Sequence, residues 1–251
     1  MTISLQSIPG IPLIQPGADL SGLLCAALDR AGIRLVGRDI LVVCQKIVSK
    51  AEGRIARLSE IVASPFAQQL AAQTVDHKDP RILEVILRET NRIIKMDRGH
   101  LIVETGPGWV CANAGVDESN SLAPDALILL PEDPDASAQA LRSALREHTG
   151  ADVAVLITDT FGRPWREGLV DFALGLAGMD AMLDLRGEHD LNGRELHHTV
   201  MAQADALAAA AGLLMRKGDG LPVVLIRGYA YSPAAGNAKQ LIRDRQFDLF
   251  R

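Results

Sequence analysis

Residues 152–166, Asp-Val-Ala-Val-Leu-Ile-Thr-Asp-Thr-Phe-Gly-Arg-Pro-Trp-Arg, decide how this chain is read. From Val153 to Thr158 five of six side chains are apolar. That is the mark of a strand covered on both faces, because β-branched and aliphatic side chains fit a pleated layer. Polarity then changes at once. Asp159 and Thr160 stand where such a strand should end, and Gly162 and Pro164 predict a loop after them. A carboxylate and a hydroxyl at the tip of a rigid strand, beside Arg163, Arg166 and Trp165, would suit a metal-phosphate group held near a flat anion. An ordinary polar strand end competes with that reading, and the stretch alone leaves the two balanced.

Working outward, Ile11–Ile14 reads as a short extended segment between two Pro-Gly pairs, and Asp19 as the cap of a helix through about Ala31, ended by Gly32. Ile40–Cys44 is a second buried strand. The polar segment from Gln45 to Arg54 follows it directly, with Lys46 and Lys50 four residues apart. If that segment is helical the two ammoniums share a face and can meet phosphates; a solvated charged strip is the alternative. Ser64-Pro65 and Asp79-Pro80 each predict a helix start, the second running from Arg81 to about Ile94. Leu101–Glu104 and Trp109–Ala112, joined by Gly-Pro-Gly, predict a hairpin. Ala126–Leu130 is a further strand, Asp135 a cap for a helix over 136–148, and Leu221–Arg227 a last strand. The Ala-rich run Val200–Met215 is the strongest helix. Strands and helices alternate irregularly around a hairpin, so mixed α/β or α+β, with mixed sheets and flanking helices, fits better than a doubly wound parallel sheet.

Composition narrows the functional classes. The 251 residues are 48% hydrophobic and 23% charged, with a net charge of −5, as in a soluble globular protein able to bury a large core. Aromatics make up 4%, too few for a base-stacking platform, and an acidic chain lacks the field of a nucleic-acid binder. Cys25, Cys44 and Cys111 are widely spaced within apolar runs and read as reduced core thiols. With no leader pattern and no long apolar span, the expected location is the cytoplasm, away from the membrane.

No glycine-rich phosphate loop of either familiar type occurs, nor a nucleophile elbow. What remains are oxygen donors near strand ends, Asp117 with Asn120 and Asp159 with Thr160, which suit magnesium or manganese. Taken alone, each pair is better explained by turn chemistry. His197-His198 is a poor metal pair, since adjacent side chains diverge. Arg186 and Arg194 lie in a mixed-charge loop that serves either a substrate clamp or a salt-bridged surface.

In order along the chain, IPLIQPG, QKIVSKAEGR, CANAGVDESN, ITDTFGRPWREG, RGEHDLNGREL, PVVLIRG and LIRDRQFDLFR resemble the coenzyme F420-0:L-glutamate ligase (F420 gamma-glutamyl ligase) family over essentially the whole length. The resemblance implies one α+β domain over residues 1–251 with two intertwined subdomains, a homodimer, and no room for the flavin-reductase domain that some relatives carry. It implies GTP-dependent amide formation between F420-0 and L-glutamate, with two magnesium or manganese ions per site and help from potassium. Carried over, Asp117 and Asp159 resemble metal ligands, with Thr160 at the second metal and Lys50 in the catalytic group. Ile11, Pro12, Leu13, Ile14, Gln45, Lys46, Lys50, Asn120, Met215 and Lys217 resemble nucleotide contacts. Arg163, Arg166, Arg186 and Arg194 are candidates for the substrate phosphodiester and carboxylates, because guanidinium binds such anions bidentately. The chain departs from the family pattern at Arg216-Lys217, where an acidic or amide ligand to the second metal is expected and a cation cannot ligate one. A non-catalytic deazaflavin carrier and a metal-dependent phosphohydrolase are the alternative functions.

Overall fold

The computed structural model describes residues 2–74, 78–97 and 99–249. In chain order its elements begin with β1 (Ser4–Ser7), α1 (Leu20–Arg30), β2 (Ile40–Cys44), α2 (Gln45–Ala51), β3 (Ile55–Arg57), α3 (Pro65–Ala72) and α4 (Pro80–Arg88). Next come β4 (Thr90–Asp97), β5 (His100–Thr105), β6 (Val110–Ala112), β7 (Ala126–Ile128) and α5 (Pro134–Thr149). The last are β8 (Ala154–Arg163), β9 (Arg166–Ala177), β10 (Leu183–Asp184), β11 (Val200–Met201), α6 (Gln203–Gly212) and β12 (Val223–Arg227).

The main sheet has the order β1-β12-β2-β8-β9, in which β2 and β8 are parallel and the remaining pairs antiparallel. Its alternation sorts two cores. Leu41, Val43, Val155, Ile157, Val223 and Leu225 pack with α1 and α5 on one face. Ile40, Val42, Ala154, Leu156, Val224 and Ile226 pack with Ala204, Leu207 and Ala211 of α6 on the other. Each of the Val, Leu and Ile side chains among them contributes about 1.5–3 kcal/mol on burial. A smaller body joins α3 and α4 to the β4-β5-β6 sheet through Ala67, Leu70, Leu83, Ile86, Leu101 and Val103, and β3 pairs with β7 beside it. The architecture is mixed α+β, as the alternation of elements predicts. Among the described residues no helix is long and apolar enough to cross a membrane, and the three cysteines are free, Cys25 and Cys111 buried.

Several boundaries differ from the sequence expectation. The central strand does not stop at Thr160: β8 continues to Arg163 and turns at Pro164-Trp165 into β9, pairing Gly162 with Leu169. Glycine is tolerated there because an edge hairpin needs no side chain to pack. The helix expected over 81–94 ends at Arg88, because Thr90, Ile93 and their neighbours pair with β5 instead. The helix expected over 200–215 is confined to Gln203–Gly212, since Val200 and Met201 are held by Leu183 and Asp184. In α5 the cap is Asp133, whose Oδ1 accepts from Ala136 N at 3.0 Å. Asp135 lies inside the helix, and its Oδ1 accepts from Leu176 N at 2.9 Å and Ala238 N at 2.8 Å.

Gly175 fixes how closely β9 approaches α5. A Cβ at that position would lie 2.2 Å from the Pro134 carbonyl oxygen, a backbone atom with no room to yield. Gly175→Ala should therefore destabilise the protein by about 1–3 kcal/mol, the cost of overpacking. Urea unfolding of the two proteins measures it, and coincident midpoints would show that the layer spacing is not set here.

Candidate active site

Parallel pairing brings the carboxyl ends of β2 and β8 side by side, Cys44 opposite Thr158. Such strand ends are where open α/β sheets bind ligands. A cleft of about 1510 Å³ opens there, lined among others by Lys46, Lys50, Asp159, Thr160 and Arg163, by Asp117 and Asn120, and by Lys217.

α2 starts directly at the end of β2, with Cys44 extended as its cap residue. The segment is thus helical, and Lys46 and Lys50 share a face over the cleft. Both are buried. Lys46 Nζ contacts Asp117 Oδ2 at 2.7 Å and donates to Ser119 Oγ at 2.6 Å. Among the described residues no carboxylate lies within ion-pair distance of Lys50, and its pKa is lowered, first by burial and then by the Lys46 charge. A buried ammonium in that position calls for an anion.

Asp117 arrives through a left-handed turn. Asn113, Ala114 and Gly115 have φ of 53°, 56° and 69°, and a Cβ on Gly115 would fall 2.7 Å from Leu130. The turn lets Asp117 exchange backbone hydrogen bonds with Ile128 at 3.0 and 2.9 Å. Its Oδ1 accepts from Ser119 N at 2.6 Å. Burial alone would raise its pKa, but the hydrogen bonds from Lys46 and Ser119 outweigh this and hold the carboxyl below the ordinary range. Asp159 goes the other way. Burial pushes it up to about 6, and Asp117 and Asp171 add repulsion against the opposing pull of the Thr160 amide and Lys46.

The remaining expected residues divide cleanly. Ile11, Pro12, Leu13, Ile14 and Met215 line the cleft, the first four as an extended segment outside any strand. Asn120 Nδ2 donates to the Lys217 carbonyl at 3.2 Å, tying two walls together. Arg163 lines the cleft and its guanidinium donates to Glu167 O at 3.1 Å. Gln45 is fully buried, its Oε1 accepting from Ser49 Oγ at 2.7 Å, and does not line the cleft. Arg166 is outside the lining as well. Arg186 and Arg194 ride on the arm between β10 and β11, Arg186 paired with Asp184, and Arg194 N donating to Asp190 Oδ1 at 2.9 Å.

Two participants are not evident from motif reading. Ser119 completes the Lys46–Asp117 contact. Asp171, whose Oδ1 accepts from Thr160 Oγ1 at 2.6 Å, lines the cleft from β9; a single carboxylate within the apolar run 169–177 is the signal that could have found it.

The donor set fits a hard divalent cation: three carboxylates and a hydroxyl, all oxygen, with repulsion at Asp159 that a cation would relieve. Among the described residues no three His, Cys, Asp or Glu side chains are already gathered at metal-holding spacing. That suits an ion completed by water and substrate phosphates rather than an all-protein cage.

The model of the F420-0:Gamma-glutamyl ligase family matches residues 10–228. The chain belongs to that family. It is 47% identical over its full length to the whole Coenzyme F420:L-glutamate ligase of Methanothermobacter thermautotrophicus. It is 45% identical to the one of Methanopyrus kandleri, covering all of this chain and 98% of the relative. For the one of Archaeoglobus fulgidus the figures are 41%, all of this chain and 97% of the relative. In this member of the ligase family, Arg216 and Lys217 line the cleft, and the Lys217 charge acts on Asp171.

The raised Asp159 gives a stability prediction for the metal-free protein. Its folded pKa of about 6 lies above the unfolded value near 4. Its favourable contribution is therefore complete below about pH 4 and lost as pH rises through 6. Asp159→Asn should accordingly be more stable than wild type at pH 7.5, by on the order of 1–3 kcal/mol, with the gap closing below about pH 4. Thermal unfolding in chelator measures it; equal midpoints at pH 7.5 would contradict the electrostatic description.

Proposed function

We propose that this chain joins L-glutamate through an amide bond to coenzyme F420-0, with GTP as the activating co-substrate and with further gamma-linked glutamates accepted in turn. The observation that carries the reading is the convergence of Asp117, Asp159 and Thr160 with the buried Lys50 in one cleft, in a chain collinear with relatives named for that activity.

Amide formation from a free carboxylate needs a leaving group. In the proposed sequence a carboxylate oxygen of F420-0 attacks the γ-phosphorus of GTP, and the bond to the bridging oxygen breaks to release GDP. The glutamate nitrogen then attacks the acyl carbon, the bond to phosphate breaks, and the amine gives up a proton as the amide forms. Asp117, Asp159 and Thr160 would hold magnesium or manganese, which supplies charge neutralisation to the phosphates when bound; potassium is carried over with the family reading. Lys50 would bind a non-bridging phosphate oxygen, its desolvation strengthening the attraction. Lys46 keeps Asp117 ionised and turned to the cleft. The Ile11–Ile14 segment, Met215, Asn120 and Lys217 would form the nucleotide walls, and Arg163 would take an anionic group of the deazaflavin. Arg166, Arg186 and Arg194 would reach substrate only from outside the cleft lining. That role accords with a homodimer, as do the exposed apolar Leu191 on the arm of Arg186 and Arg194 and Met201 in β11 at its end.

The test is a mass-resolved assay with F420-0, L-glutamate, GTP and manganese, with Asp159→Asn in parallel. Glutamyl additions matched by GDP release, and reduced at least about 100-fold in the variant, are expected. GTP cleavage without an amide product would favour a phosphohydrolase, and deazaflavin binding with neither event a carrier.

A further inference from the structure

Asp171 reaches the cleft through a defect in the sheet. From Val155 to Ile157 the β8–β9 register runs regularly, ending at Ile157 opposite Gly175, but Thr158 lies opposite Ala173. Leu174 is the extra residue of a β-bulge. Consistent with this, Ala173 and Leu174 are consecutive in sequence yet both pack into the core beneath α6. Because side chains alternate strictly along a strand, one inserted residue moves everything beyond it to the other face. Asp171 thereby comes opposite Thr160, and the face it joins is that of α6. An unbulged strand would pair Thr160 with Phe172 and turn Asp171 toward α5.

Two features of α6 accommodate this arrangement. In its first turn, Asp205 Oδ1 accepts from Ala173 N at 3.0 Å, holding the bulge. At its end stands Gly212, where a Cβ would fall 1.9 Å from Asp171 Oδ2. The absence of a side chain at 212 leaves the space that the Asp171 carboxylate fills.

We propose that Asp171 is a positioning residue that takes the Thr160 hydroxyl proton in a hydrogen bond and so leaves the Thr160 oxygen as a lone-pair donor to the second divalent cation. The chemistry follows from the hydroxyl inventory. Threonine has one O–H and two lone pairs; with its proton committed to Asp171 at 2.6 Å, the oxygen presents only lone pairs elsewhere. Partners of this kind orient ligands and raise their basicity, and their removal typically costs about 10–100-fold in metal affinity. In this chain the carboxylate also stands near the position where Arg216-Lys217 provides no ligand. The proposal rests on the reading of Thr160 as a ligand given above.

Manganese binding to the full chain, followed by electron paramagnetic resonance with a saturating non-hydrolysable GTP analogue, tests it without turnover. Asp171→Ala should weaken one of two manganese ions by about 10–100-fold and spare the other. Asp171→Asn keeps an acceptor oxygen and should recover affinity to within about threefold of wild type. Gly212→Ala, which leaves the carboxylate present but displaces it, should resemble Asp171→Ala. On a Thr160→Val background, Asp171→Ala should cost nothing further. Wild-type manganese binding in Asp171→Asn and Gly212→Ala together with Asp171→Ala would overturn the proposal, as would a full additional loss on the Thr160→Val background. Should Asp171→Ala fail to fold, the asparagine and Gly212 variants still decide. Thr160→Val alone distinguishes the two levels: if it binds both ions as wild type does, the ligand role of Thr160 falls, and this inference with it.

Discussion

The parallel pairing of β2 with β8 is the constraint on which the rest of the structure depends. Antiparallel neighbours would bring the start of one strand beside the end of the other. Parallel alignment instead places both carboxyl ends at one edge, so that α2 and the β8–β9 hairpin leave the sheet together and line a common cleft. The apolar runs that make these strands are what two covered faces require, and the cores on those faces hold the edge rigid. Pre-organised charge needs such a support, since a side chain fixed by a strand or helix loses little freedom when a ligand arrives.

The cleft is electrostatically uneven by construction. Lys46 and Asp117 satisfy one another, whereas Lys50 and Asp159 carry opposite penalties of burial: the lysine is pushed down and the aspartate up, to about 6. Uniting these two would neutralise both, yet they are kept as separate poles. A cation and a phosphate arriving together would relieve each of them. On the proposed reading, stability forgone at these two residues would become binding energy for a metal-bound triphosphate, the common pattern of functional sites that are locally less stable than their surroundings. The relatives named Coenzyme F420:L-glutamate ligase carry out a condensation for which such a cleft is chemically suited.

Much of this was legible in the chain itself where local chemistry governs. Asp19 caps α1 through Gly22 N at 3.0 Å, the runs at 40–44 and 153–158 are the sheet centre, and the Lys46/Lys50 spacing is helical. Two boundary misreadings come from strand partners outside the segment itself. Thr90–Asp97 has enough apolar character for a helix face and becomes a strand because β5 is beside it. Val200 and Met201 leave the Ala-rich helix to pair with residues 183–184. Asp171 stands out in sequence only as a lone carboxylate in an apolar run; its orientation depends on one bulged residue and on the hydrogen bond from Ala173 N to Asp205, 32 positions further on, neither of which has a local signature. Arg186 shows the converse, a cation suited to substrate by type but engaged with the Asp184 carboxylate two residues away.

The central claim is that Asp117 and Asp159 together hold the cation that meets the triphosphate, with Lys50 on the phosphate side. Anomalous diffraction at the manganese edge, from crystals grown with manganese and a non-hydrolysable GTP analogue, tests this most directly. The account predicts a manganese peak at about 2.0–2.4 Å from carboxylate oxygens of both residues, with a phosphate oxygen in the same shell and another beside Lys50. A nucleotide bound elsewhere, or manganese ligated by neither aspartate, would contradict it.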